Sequence, residues 1–167
     1  MIDHKRRKLI LGLSGIIAAG AGSTVAALVP TPRQSSGPFY PVTLPLDDDN
    51  NLTEVAGKSG KASGIISDIS GSIVDINANP LHNLRIEIWQ CDANGRYRHP
   101  REQATRPLDE NFQGHGFTVT TAQGLYRFRT IRPVPYPGRT PHIHIAVFPD
   151  GEQAFVTQLY VAGEESN

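Results

Sequence analysis

Leu84-Arg85-Ile86-Glu87-Ile88-Trp89-Gln90-Cys91 alternates along its length and stops at Asp92-Ala93-Asn94-Gly95. Period-two alternation puts Leu84, Ile86 and Ile88 on one face of a β-strand. The Asn-Gly pair that follows favours the positive φ angles of a type I′ turn. Similar short runs flank this one. Ala62–Ile69 and Ser72–Ile76, separated by Ser70-Gly71, read as two strands. Phe117–Thr121, Gly124–Ile131, His142–Phe148 and Ala154–Val161 read as further strands. No amphipathic helix follows the N-terminal region, and no repeat is present. Six or seven short strands with turn-rich joints predict an all-β fold, a β-sandwich.

Upstream, residues 31–60 are rich in Pro, Ser, Gly, Asp and Asn, which predicts an extended N-terminal arm with turns. Its Asp47–Asp49 run lacks the spaced Gly and terminal Glu of a calcium loop and reads as a solvated turn. Residues 61–167 remain for the sandwich. With 167 residues the chain suits one domain. A formal net charge of zero gives no overall pull toward nucleic acid. The basic cluster Lys5-Arg6-Arg7-Lys8 precedes an uncharged stretch from Leu9 to Val29, the pattern of an export signal over residues 1–30. The Arg6-Arg7 pair resembles a twin-arginine signal, without the usual aromatic two residues after it. Glycines 12, 15, 20 and 22 favour cleavage over a retained membrane anchor, the alternative that this length allows. Loss of 1–30 leaves a formal charge of −3 and an exported, periplasmic or extracellular domain. Cys91 is the only cysteine, so no intrachain disulfide forms, and it reads as a small packing residue.

The chemistry-bearing stretch is Tyr136-Pro137-Gly138-Arg139-Thr140-Pro141-His142-Ile143-His144. Residues two apart on a strand share a face, so His142 and His144 can aim at one point while Ile143 turns into the packing. Tyr136, on a Pro/Gly-rich loop, could add a phenolate there. Alone, His-x-His on a strand is more often a packing or surface feature than a metal site.

Three segments in order change its weight: Ile86–His99, Phe112-Gln113-Gly114-His115-Gly116 and Thr130–His144. Together they resemble the intradiol ring-cleavage dioxygenases, non-haem iron(III) enzymes that include protocatechuate 3,4-dioxygenase and catechol 1,2-dioxygenase. Gly37-Pro38-Phe39-Tyr40-Pro41 resembles that family's N-terminal element, and Thr157-Gln158-Leu159-Tyr160 its later strand. The resemblance implies a β-sandwich of the intradiol type and Fe(III) held by Tyr97, Tyr136, His142 and His144. Hard anionic phenolates beside imidazole suit that metal. It also implies a catecholic substrate cleaved with O2 to a muconate-type diacid. Tyr136 would be the ligand displaced by substrate, Arg139 the active-site arginine, and Gln158 a polar group near the same site. His115 could line the pocket mouth, His99 reads as exposed, Trp89 as packed on the sheet, and Tyr126 and Tyr160 as structural. Arg98 and Arg132 are candidates to meet a ring carboxylate.

By comparison with that family the C-terminal end is short, and a missing strand would leave an open sheet edge. Pairing with another subunit could close it; the oligomeric state is otherwise open. Two other readings stand beside this one. A non-catalytic transthyretin-like secreted binding module predicts no intact ligand set, and a zinc hydrolase built on His142 and His144 needs a general-base motif that is absent.

Overall fold

The computed structural model describes residues 28–44, 47, 49–103, 105–150 and 154–164. Most of the expected export signal, Asp48 and the last three residues lie outside them. Among the described residues six strands run in order: β1 (Ile66–Ser72), β2 (Arg85–Trp89), β3 (His115–Val119), β4 (Leu125–Ile131), β5 (His142–Phe148) and β6 (Phe155–Tyr160). All named pairings are antiparallel: β1 pairs with β4, and a second sheet has the order β3-β2-β5-β6. The all-β expectation holds.

The alternation that marks β2 and β5 sorts their side chains between two layers. Ile86 and Ile88 of β2 join Ile143, Ile145 and Val147 of β5 in one buried cluster with Phe128 and Ile131 of β4. This is the interior between the two sheets. Burying an Ile or Phe side chain of this kind contributes roughly 1.5–3 kcal/mol. The opposite face of the larger sheet is buried too. There Trp89, Cys91, Tyr97 and Ala146 form a second cluster, covered by Phe39, Tyr40, Val134 and Tyr136 from irregular segments.

The arm contributes to both layers. Beside β6, the outer strand of its sheet, the Gln34 N–H donates to the Val156 carbonyl at 2.8 Å and the Thr157 hydroxyl to the Pro32 carbonyl at 2.9 Å. The edge of β6 is thus lined by the chain's own arm. Further on, Asp49–Thr53 laces the sheets together. Phe117 N–H of β3 donates to Asp49 O at 3.1 Å, Arg129 N–H of β4 donates to Asn50 O at 2.8 Å, and Leu52 is fully buried in the core.

Two local expectations are corrected. Ser70-Gly71 does not divide one strand from the next, because β1 runs straight through it with Gly71 opposite Tyr126. A Cβ on Gly71 would stand 2.6 Å from the Tyr126 hydroxyl oxygen, so the glycine makes room for that ring. The chain reverses later, where the Asp75 carboxylate accepts from the N–H groups of Asn77 at 2.8 Å and Asn79 at 2.9 Å. After β2 the turn is not type I′, since Gly95 has φ 71° while Asn94 is not in the positive region. The Asp92 carboxylate shapes it instead, accepting from Asn94 N–H at 2.9 Å and Arg96 N–H at 3.0 Å.

Candidate metal centre

Strand register builds the site on the outer face of the larger sheet. His115, Trp89, His144 and Gln158 stand opposite one another across β3, β2, β5 and β6. His142, one step along β5, faces Tyr160. Tyr136 and Arg139 arrive together because they end a tight turn. Arg139 N–H donates to Tyr136 O at 2.9 Å, with Pro137 and Gly138 (φ 78°) between them, the signature of a type II turn. Tyr97 comes from the loop after β2, its ring stacked on Phe39 at 4.8 Å.

These elements bring four rings to one point. Ring centroids lie 5.4 Å apart for Tyr97 and Tyr136, 5.5 Å for Tyr136 and His142, 4.8 Å for His142 and His144, and 6.4 Å for Tyr97 and His144. The two Nε2 atoms of His142 and His144 are 3.2 Å apart. Two nitrogens each about 2.1 Å from a shared ion, held near a right angle, sit roughly 3 Å apart, so the pair is spaced for one ion. His142 Nδ1 donates to the Thr140 carbonyl at 2.6 Å. A carbonyl only accepts, which fixes the proton on Nδ1 and leaves the Nε2 lone pair free in the neutral ring.

Burial sets the charge states. Desolvation lowers His142, and desolvation followed by the charges of His142 and Arg139 lowers His144 to about 3, so both imidazoles are neutral at physiological pH. Burial, then the neighbouring Tyr136, pushes Tyr97 far above the usual phenol range, and burial also raises Tyr136. The Tyr97 hydroxyl is buried and makes no well-formed hydrogen bond, though the Tyr136 phenol is close enough to act on its ionisation. A buried polar atom left short of a partner costs about 1–3 kcal/mol, and a cation held between the two phenols would supply one. Among the described residues no group of three or more His, Cys, Asp or Glu side chains could hold a metal ion. The side-chain oxygens ringed around the two histidines are the phenols of Tyr97 and Tyr136. Two neutral nitrogens plus two phenols that ionise only against a strong positive charge fit a highly charged, oxygen-preferring metal. Arg139 adds fixed positive charge; its guanidinium donates to Gln158 Oε1 at 2.5 Å.

Tyr97, Tyr136, Arg139, His142, His144 and Gln158 thus come together. Others sit elsewhere than expected. His115 is not at a pocket mouth; it is 2% exposed, with Nε2 3.3 Å from a carboxylate oxygen of Glu87. His99 is half-buried, its ring 5.7 Å from Phe39. Arg98 pairs with Glu110 at 3.2 Å and Arg132 with Glu164 at 2.9 Å. Tyr160, read as structural, sets its hydroxyl between Gln34 Oε1 at 3.1 Å and Gln158 Oε1 at 3.0 Å. Glu87 itself went unread. Its side chain is 3% exposed, accepts from Arg85 Nε at 2.7 Å and from the Tyr40 hydroxyl at 2.8 Å, and lies one alternation step from Trp89. That shared parity with Trp89 was the available signal.

A β-sandwich gathering two phenols, two imidazoles and a guanidinium on one sheet face defines a candidate mixed-ligand metalloprotein. A family model described as Dioxygenase matches residues 35–166. The protocatechuate 3,4-dioxygenase beta chain of Burkholderia cepacia is 42% identical over 129 residues, 72% of this chain and 54% of that protein. The hydroxyquinol 1,2-dioxygenase of Corynebacterium glutamicum is 31% identical over 185 aligned positions, covering 97% of this chain and 57% of that protein. Among solved structures, the intradiol ring-cleavage dioxygenase of Tetranychus urticae superposes with a TM-score of 0.65 at 28% identity, covering 80% of this chain and 65% of that one. The dioxygenase domain of a Streptomyces dioxygenase carbohydrate-binding fusion gives 0.63 at 29% identity, covering 82% and 78%. The chain belongs to the intradiol ring-cleavage dioxygenase family. It spans a little over half the length of these two curated relatives.

Proposed function

We propose that this chain acts as an intradiol dioxygenase, holding Fe(III) between Tyr97, Tyr136, His142 and His144 and cleaving catechol-type diols with O2 to muconate-type diacids. The observation that carries this reading is the convergence of four rings around a histidine Nε2 pair 3.2 Å apart, two of them neighbouring phenols of which Tyr97 is deeply buried. Bound iron(III) supplies an electron-withdrawing centre that makes a chelated diol reactive toward dioxygen.

The chain's own residues divide the remaining work. Tyr97 is 3% exposed and wedged against Phe39, which makes it the fixed phenol. Tyr136 is half-buried at the end of a tight turn and can yield its place, its Oη accepting a proton from an incoming diol hydroxyl. Arg139 favours the ionised phenols and stabilises negative charge on substrate oxygens as it develops. Gln158 holds that guanidinium in place. Trp89 covers one face of the His144 ring, and Phe39 covers the Tyr97 ring. The overall reaction consumes one diol and one O2, breaks the bond between the hydroxyl-bearing carbons and leaves both oxygen atoms in the diacid.

Residues 1–30 carry this reading to a compartment. An exported protein that folds first can load its metal in the cytoplasm, and membrane attachment then depends on whether the signal is cut. Oxygen-uptake assays across a panel of catechols, with 18O2 labelling of the product, test the activity. The expected result is stoichiometric uptake and two labelled atoms per diacid. A single labelled atom, or ring opening outside the diol carbons, would refute it.

A further inference from the structure

The two imidazoles of the centre are oriented by different means. His142 is steered by a hydrogen bond from Nδ1 to the Thr140 carbonyl. His144 has no such partner at Nδ1, which is buried and unbonded, and its Nε2 lies 3.2 Å from His142 Nε2. Its ring lies instead flat against the Trp89 indole, with centroids 4.8 Å apart and planes within 3°. Trp89 and His144 are direct cross-strand partners on β2 and β5, so the stack is set by sheet register. Offset stacking of this kind has a preferred geometry. The indole is held in turn. Tyr40 meets it edge-on at 5.0 Å and an 85° interplanar angle, and the Tyr40 hydroxyl donates to Glu87 at 2.8 Å. Glu87 is anchored by Arg85 at 2.7 Å and lies 3.3 Å from His115 Nε2. On the other side of the site the Gly37 backbone approaches the imidazole: a Cβ there would stand 3.4 Å from His144 Cε1.

We propose that Trp89 is the positioning residue of His144, setting the plane of an imidazole whose Nδ1 has no hydrogen bond to orient it, and that Tyr40 anchored on Glu87 keeps the indole in place. Hydrogen-bonded carboxylates and carbonyls commonly orient metal-binding histidines, and losing such a partner typically costs about 10–100-fold in metal affinity. Here an aromatic face takes that role. The proposal rests on the iron reading above for its metal readout, and on geometry alone for its second.

The test compares Trp89→Leu, Trp89→Phe and Tyr40→Phe with the wild-type protein, each checked for fold by circular dichroism and thermal melting. Iron release to a chelator is expected to be about 10-fold or more faster in Trp89→Leu, with a shifted tyrosinate charge-transfer band. Trp89→Phe, which keeps a stacking face, should lie within about threefold of wild type, and Tyr40→Phe should release iron about threefold faster. In metal-free, 15N-histidine-labelled protein, the His144 ring should give one sharp set of NMR signals in wild type and Trp89→Phe, and broadened signals in Trp89→Leu. Should Trp89→Leu fail to fold, Tyr40→Phe carries the test by both readouts. A folded Trp89→Leu, or Tyr40→Phe in its place, with wild-type release, band and ring signals would overturn the proposal. Wild-type protein that took up no iron would defeat the iron reading instead, and the metal-free ring signals would then decide this one.

Discussion

At the scale of single residues, the chemistry lies in which groups are denied a partner and which are over-provided. Tyr97 is buried without a well-formed hydrogen bond and faces the Tyr136 phenol, whereas Glu87 has Arg85, Tyr40 and His115 around one carboxylate. Those hydrogen bonds outweigh the desolvation that opposes ionisation, and they hold Glu87 down at about 2 against an ordinary 4.5. Its folded value is depressed, so its contribution to stability is complete above about pH 4.5 and is lost as pH falls toward 2. The integrated effect is about 3 kcal/mol. Urea denaturation of metal-free protein at stepped pH should show a shallower loss of stability between pH 4.5 and 2 in Glu87→Gln than in wild type. Parallel curves would mean that the carboxylate is not ionised by this network. His142 and His144 were legible from sequence because a two-residue period on a strand is a strong geometric constraint. Glu87 was not, because a carboxylate in an alternating strand reads as the solvent face unless the other layer is known.

At the scale of elements, register does most of the positioning. Trp89 opposite both His144 and His115, and His144 opposite Gln158, follow from three antiparallel pairings. The strands were readable from alternation, but their partners and the lacing by Asp49–Thr53 were not. A Pro/Asp/Asn-rich segment carries no periodicity that reveals two sheets bonding to it. Gly116 of β3 records that lacing: a Cβ there would stand 2.2 Å from the Asp49 carbonyl oxygen and 2.6 Å from Leu52 Cδ1. A backbone atom cannot step aside as a side chain can. Gly116→Ala should therefore destabilise the protein by about 1–3 kcal/mol, measured as a lowered denaturant midpoint at unchanged slope. An unchanged midpoint would show that the segment at 49–53 is not held as described. By the same reasoning Ser70-Gly71 misleads as a turn, since what demands glycine there is the Tyr126 ring across the pairing.

For the whole molecule, a two-layer sandwich becomes a site-bearing fold because the larger sheet is buried on both faces. One face takes the aliphatic core, and the other takes aromatic, imidazole and carboxylate side chains under a cover of arm and loops. The arm is structural on both counts, since it lines β6 and places Phe39 and Tyr40 against Tyr97 and Trp89. The central claim is that Tyr97, Tyr136, His142 and His144 hold one iron(III) ion. It is tested most directly by metal analysis together with the visible spectrum of protein purified under iron-replete conditions. The account predicts about one iron per chain and a tyrosinate-to-iron charge-transfer band that changes when a catechol is added, and that is lost in the Tyr97→Phe, Tyr136→Phe double variant. Colourless, iron-free wild-type protein, or wild-type colour in the double variant, would contradict it.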